Sequence, residues 1–216
     1  MPIDRICENS DAGLLHLPSN LQSLDLSSHS ITDAGLLHLR PNLQMQSLTL
    51  FSQRITDAGL RYLPPNLRSL TSFSHNITDA GLQHLRSNLQ MQSLTLFSQK
   101  ITDAGLLHLP PNLQNLDLSS RNITDAGLQH LRSNLQNLRL NSDRVTDAGL
   151  QHLPPNLQSL DLSSHNITDA GLQHLPPNLQ SLTVAEHGRI TLSGILKFEA
   201  DHPKVQVKRD SLDVFI

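Results

Sequence analysis

The chain has 216 residues, and leucine supplies 44 of them, more than half of a hydrophobic content of 37% that includes only 3% aromatic residues and no tryptophan. A core drawn from one aliphatic residue points to an internal repeat rather than to an ordinary globular composition. The net charge of -3 offers no basic field for a nucleic-acid backbone, the single cysteine, Cys7, excludes an internal disulfide and a multi-cysteine zinc site, and no secretory h-region or membrane-length apolar run is present. The expected setting is therefore cytosolic, with neither nucleic acid nor membrane as partner.

Residues 1–20 read as a first partial repeat, 21–189 as regular units of 22 or 24 residues, and 190–216 as a degenerate C-terminal capping unit, all within a single domain. The tetrapeptide Thr-Asp-Ala-Gly, with Ser for Thr in the first copy, sets the period through Asp11, Asp33, Asp57, Asp79, Asp103, Asp125, Asp147 and Asp169. An extra dipeptide around Gln44-Met45 and Gln90-Met91 makes the two wider spacings.

Each unit opens on a short alternating stretch, Ser23-Leu24-Asp25-Leu26 in the first, which predicts a strand. It then switches to Ile31-Thr32-Asp33-Ala34-Gly35-Leu36, where Thr suits a helix N-cap and Asp the positive helix end, predicting one or two helical turns. Pro-Pro-Asn or Arg-Ser-Asn ends the helix, because proline cannot continue its hydrogen-bond ladder. The turn asparagines are Asn20, Asn42, Asn66, Asn88, Asn112, Asn134, Asn156 and Asn178. One unit cannot bury its leucines alone, whereas stacked units bury Leu21, Leu24, Leu26, Ile31, Leu36 and Leu39 against their equivalents. Helices need about 10 Å of lateral room and strands about 4.8 Å, so the stack bends into an arc with its parallel sheet on the concave side.

The pattern Leu21-x-x-Leu24-x-Leu26-x-x-His29-x-Ile31 followed by Thr-Asp-Ala-Gly-Leu resembles a leucine-rich repeat, and Asp-Ala-Gly-Leu resembles the ribonuclease-inhibitor and GALA-type subclasses. The resemblance covers roughly residues 10–207 and implies an α/β leucine-rich repeat solenoid that binds a protein. The stretch Leu-Pro-Pro-Asn-Leu-Gln-Ser-Leu, as at Leu153 to Leu160, is also similar to repeats in effectors of intracellular bacterial pathogens. That likeness implies a virulence protein delivered by a dedicated secretion system into the host cytosol, where it binds a host protein.

Two departures stand out. The ninth motif position, usually an asparagine that ties neighbouring coils together, holds His29, Gln53, His75, Gln99, Arg121, Asp143, His165 and His187, which predicts an irregular ladder supplemented by the turn asparagines. Ser72 takes a place that is leucine in most units, leaving either a thinner core or a buried hydroxyl that needs a partner. At the C-terminus, Ile190 to Phe198 imitates the helical half-unit, Val205-Gln206-Val207 a ninth strand, and Leu212, Val214, Phe215 and Ile216 a cover for the open end, or an export signal.

Strand residues between the leucines face the concave surface. One such row contains Phe51, Phe73 and Phe97 in consecutive units, and the row beside it contains Thr49, Thr71, Thr95, Asp117 and Arg139. An apolar stripe with hydrogen-bonding neighbours and charge at its end predicts a protein contact site, with the phenylalanines as anchors, the threonines as hydrogen-bonding neighbours and Asp117 and Arg139 as orienting charges. The alternative for the same rings is packing on one another. Leu43 to Gln53 recurs identically at Leu89 to Gln99, so duplication accounts for two of the three rings.

Seven histidines, His16, His38, His84, His108, His130, His152 and His174, share one helical position, with Tyr62 in the remaining copy, the third. Helix spacing near 10 Å separates them too widely for a shared metal, so the expectation is a solvated helix face with no metal and no cofactor. No strained nucleophile turn or glycine-rich phosphate loop accompanies the many Ser, His and Asp residues, and no catalytic role is expected. The chain is expected to be monomeric with at most weak self-association; the competing role is a structural module in which an exposed first coil joins a larger assembly.

Overall fold

The computed structural model describes residues 10–27, 30–39, 44–85, 87, 88, 90–185 and 188–210; Cys7, His29, Asn42, Leu43, Leu89, His187 and the tail residues Leu212, Val214, Phe215 and Ile216 lie outside these. The alternating stretches form β1 (Ser23–Leu26), β2 (Ser47–Leu50), β3 (Ser69–Phe73), β4 (Ser93–Phe97), β5 (Asn115–Ser119), β6 (Asn137–Asn141), β7 (Ser159–Ser163) and β8 (Ser181–Ala185), followed by β9 (Gln206–Asp210). Among the described residues they make one open sheet in the order of the chain, every pair parallel and in repeat register, so that Leu116 faces Leu138 and Leu118 faces Leu140. The ninth strand begins one residue later than the sequence suggests and sets Val207 against Leu182.

The Thr-Asp-Ala-Gly segments form single helical turns, α1 (Asp33–Leu36), α2 (Asp57–Leu60), α4 (Asp103–Leu106), α5 (Asp125–Leu128) and α6 (Asp147–Leu150), and a longer α3 (Asp79–Leu85). The first unit, Asp11–His16, and the eighth, Gly171–His174, tighten to 3₁₀ turns, and α7 (Leu192–Asp201) is the longest helix. Thr32, Thr56, Thr102, Thr124 and Thr146 cap their turns by accepting from the backbone N–H two residues on, which supplies one donor that a helix start leaves unpaired. The leucine positions form one continuous core, with Met45 and Met91 filling the Leu21 place in the two longer units. An unbranched side chain adapts readily to that altered approach.

Two side-chain ladders join the coils. Each repeat aspartate from Asp11 to Asp169 accepts two hydrogen bonds from the threonine of the following unit: Asp103 takes the Thr124 backbone N–H at 2.8 Å and the Thr124 hydroxyl at 2.6 Å, and the same pair recurs down to Thr191. The glycine of the tetrapeptide makes room for this bond, since a Cβ on Gly127 would overlap the Asp103 carboxylate. Thr, Asp and Gly are thus parts of one device, which the helix-dipole reading of Asp captured only in part.

The second ladder is one that the ninth-position pattern does not reveal. It is regular and lies one residue before the ninth position: buried Ser52, Ser74, Ser98, Ser120, Ser142 and Ser164 donate to a backbone carbonyl of the preceding unit at 2.6–2.8 Å, the first from Ser52 to Ile31 and the last from Ser164 to Val145. Each hydroxyl also accepts from the N–H two residues ahead. With a small hydroxyl already satisfying the buried carbonyls, the ninth position is free to vary. There Gln53, Gln99 and Asp143 still accept from the backbone of His75, Arg121 and His165, joining alternate pairs of coils. Asn134, Asn156 and Asn178 bond carbonyls of the previous turn, as the sequence suggests.

Candidate functional site

The strands alternate between buried leucine and accessible residue, which puts both predicted rows on the sheet face away from the core. Register brings Thr49, Thr71, Thr95, Asp117 and Arg139 side by side across β2 to β6. It likewise aligns Phe73 with Phe97. The phenylalanine rings stack: centroids of Phe51 and Phe73 lie 4.3 Å apart with planes at 28°, and those of Phe73 and Phe97 lie 4.3 Å apart at 14°. The ladder is nonetheless open to solvent, with Phe51 42% exposed and the other two rings half-buried. Mutual packing and accessibility coexist because parallel strands space equivalent side chains by about one ring thickness plus a van der Waals gap. Ring faces are spent on one another, and a partner meets mainly ring edges and the two end faces.

Beyond Phe97 the face becomes polar. Ser119 is its register neighbour, and a shallow open depression of about 260 Å³ lies beside it, lined by Thr95, Asn115, Asp117, Asn137, Arg139 and Asp161 among others. Arg139 Nε pairs with Asp161 at 3.3 Å. Burial pushes the Asp117 carboxyl above its ordinary value of 3.8; Arg139 pulls it down, and Asp161 pushes it up again. Asp161 continues the same row beyond Arg139, so that the signs alternate along Asp117, Arg139 and Asp161, although it is not among the expected contact residues.

On the loop rim, Asp143 meets His165 Nδ1 at 2.7 Å, and that hydrogen bond holds the Asp143 carboxyl below its usual value. The convex histidines are spread along the turns: Gln83 reaches His108 at 3.5 Å and Gln129 reaches His152 at 3.4 Å, and no group of three or more metal-ligating side chains occurs among the described residues. No helix among them is long and apolar enough to cross a membrane.

A family profile described as Leucine Rich repeat matches residues 18–39, 110–131 and 154–175. No curated protein matches the chain. Among solved structures, the crystal structure of the Rad7 and Elc1 complex in yeast contains a chain similar to this one, with a TM-score of 0.68 and 21% identity over 91% of this chain; the match spans 57% of that chain's length. The chain carries leucine-rich repeats and folds as an α/β leucine-rich repeat solenoid.

Proposed function

We propose that this leucine-rich repeat solenoid is a non-catalytic binding module that holds another protein against its concave face, with Phe51, Phe73 and Phe97 as anchors, Thr49, Thr71 and Thr95 as hydrogen-bonding neighbours and Asp117 and Arg139 as orienting charges. The observation that carries the reading is the stacked phenylalanine ladder left open on the sheet face. Isolated surface rings need no explanation, but three stacked in consecutive units on a face that no described element covers are the kind of aromatic cluster that dominates interface energetics. The likeness of Leu153 to Leu160 to effector repeats extends the proposal to a setting: a bacterial effector delivered into the host cytosol and acting on a host protein. That extension rests on the sequence likeness alone.

The test is affinity capture from a eukaryotic lysate with two baits, the natural chain and a Phe51→Ala, Phe73→Ala, Phe97→Ala variant whose circular dichroism and cooperative melting match it. The expected result is a protein retained by the first bait and lost by the second. The same set on both baits overturns the ladder as the contact site.

A further inference from the structure

Next to the phenylalanine ladder the concave face changes from a stripe to a recess, and the recess has a chemistry of its own. Two carboxylates, Asp117 and Asp161, share one guanidinium, Arg139, so the cluster carries an excess negative charge. The sharing is unequal: Arg139 Nε lies 3.3 Å from Asp161, whereas Asp117 accepts no hydrogen bond from any described residue and is half-buried. A partly desolvated carboxylate without a hydrogen-bond donor carries an uncompensated cost, and a charged donor offsets that cost better than water does.

The apolar ladder ends one row away from the same carboxylate, outside the lining of the recess. Phe97 stacks one ring face on Phe73, and its register neighbour on the other side is the small Ser119. Thr95 and Asp117 occupy the adjoining row, about 7 Å along the strands from the phenylalanine row because side chains two residues apart on a strand are separated by that distance. A lysine or arginine side chain is long enough to lay its methylenes against apolar surface and hold its charge at the far end. Two rim cations near the ladder do not fill this role: Lys100 Nζ is bonded to Asn76 Oδ1 at 2.9 Å, and Arg54 sits on the loop after β2, three strands away from Asp117.

We propose that the recess at Asp117 receives an arginine or lysine side chain of the bound protein, its stem lying across Phe97 and Ser119 and its cationic head donating to the Asp117 carboxylate. This rests on the concave-face reading above and names the partner's chemistry at one point: a basic residue flanking the apolar group that meets the ladder. Asp117 is then the specificity-determining residue, since a neutral or acidic side chain at that point leaves the carboxylate without a donor.

The probes are N-acetyl-arginine amide and N-acetyl-lysine amide, with N-acetyl-citrulline amide as the uncharged isostere, titrated into the full chain while the Phe97 ring and the Asp117 carboxyl are followed by NMR. The expected result is saturable shifts of both signals with the cationic probes, about tenfold weaker binding for citrulline, and the same loss for Asp117→Asn with arginine. No saturable shift with either cation, or equal shifts from citrulline, overturns the proposal. Undiminished arginine binding by an Asp117→Asn variant of unchanged melting temperature overturns it as well. The readout is independent of protein capture: cation binding at Asp117 alongside capture indifferent to the phenylalanines would sink the ladder and leave the recess standing.

Discussion

At the scale of single residues, one serine and one aspartate depart from the pattern around them. Ser72 stands between Leu50 and Leu96 in the sheet, is fully buried, and its hydroxyl has no hydrogen-bond partner among the described residues. Of the two alternatives that the sequence leaves open, the hydroxyl is therefore present and unsatisfied. An orphan buried hydroxyl costs on the order of 1–3 kcal/mol, so Ser72→Ala, which removes the oxygen without adding volume, is expected to stabilise the chain by about 1 kcal/mol; urea unfolding that shows a loss instead would rule this out. Asp117 makes a prediction about pH. Its folded-state carboxyl is raised, first by burial, so the folded state holds that proton more tightly than the unfolded chain does. The ionised form is the costly one: its penalty is absent below 3.8 and grows as pH rises through the raised folded value. Carboxyl NMR should find Asp117 titrating above a normal aspartate, closer to the ordinary value after Asp161→Asn and higher again after Arg139→Met. A midpoint at the ordinary value in the unsubstituted chain would remove the desolvation argument.

At the scale of the repeated element, Asp103, Thr124 and Gly127 form one interlocked unit, and its coupling can be measured. Asp103→Ala deletes two hydrogen bonds to a charged acceptor and is expected to cost about 2 kcal/mol. Gly127→Ala would stabilise an isolated helix by about 1 kcal/mol, but here its Cβ meets the Asp103 carboxylate, so a loss of about 2 kcal/mol is expected, typical of overpacking. In the double variant the clash and the bonds vanish together, so the combined loss should fall well short of the sum; strict additivity in denaturant unfolding would contradict the ladder. The same unit shows where the sequence is legible. Periodicity, strand positions, capping threonines and the concave rows follow from residue type and spacing within one unit. The Asp-to-Thr and Ser-to-carbonyl bonds run between units 19–23 residues apart, and no local pattern distinguishes a serine that faces a carbonyl from one that faces water. Ring stacking was half legible: the row of phenylalanines is in the sequence, but whether they pack or stay open depends on strand spacing, which allows both.

At the scale of the whole molecule, the described elements pack on those of adjoining units: the strand order is the chain order, and the helical turns meet in sequence. Stability in such a stack is close to a sum of unit and interface terms, so position along the solenoid governs what a substitution costs. Leu118 in β5 has a coil on each side and is 1% exposed, whereas Leu26 in β1 lies on the outermost described strand and is 9% exposed. Leu118→Ala leaves a cavity that neither neighbouring coil can collapse into without breaking its own register, and a loss near the upper part of the usual 2–5 kcal/mol range, about 4 kcal/mol, is expected. Leu26→Ala opens a site that relaxes toward solvent on one side, for about 2 kcal/mol. Native-state hydrogen exchange should show the same gradient, with protection highest from β4 to β6 and falling toward β1, and with Leu118→Ala lowering protection most in β5 and its two neighbours. Equal losses at the two leucines, or protection uniform along the sheet, would mean that the stack unfolds as one globular unit. The phenylalanine ladder runs from Phe51, just after β2, to Phe97 at the end of β4, between the weak end and the protected middle. A partner gripping it would therefore stabilise the first coils most, and the exchange gradient measured with and without a bound protein would locate the contact along the solenoid.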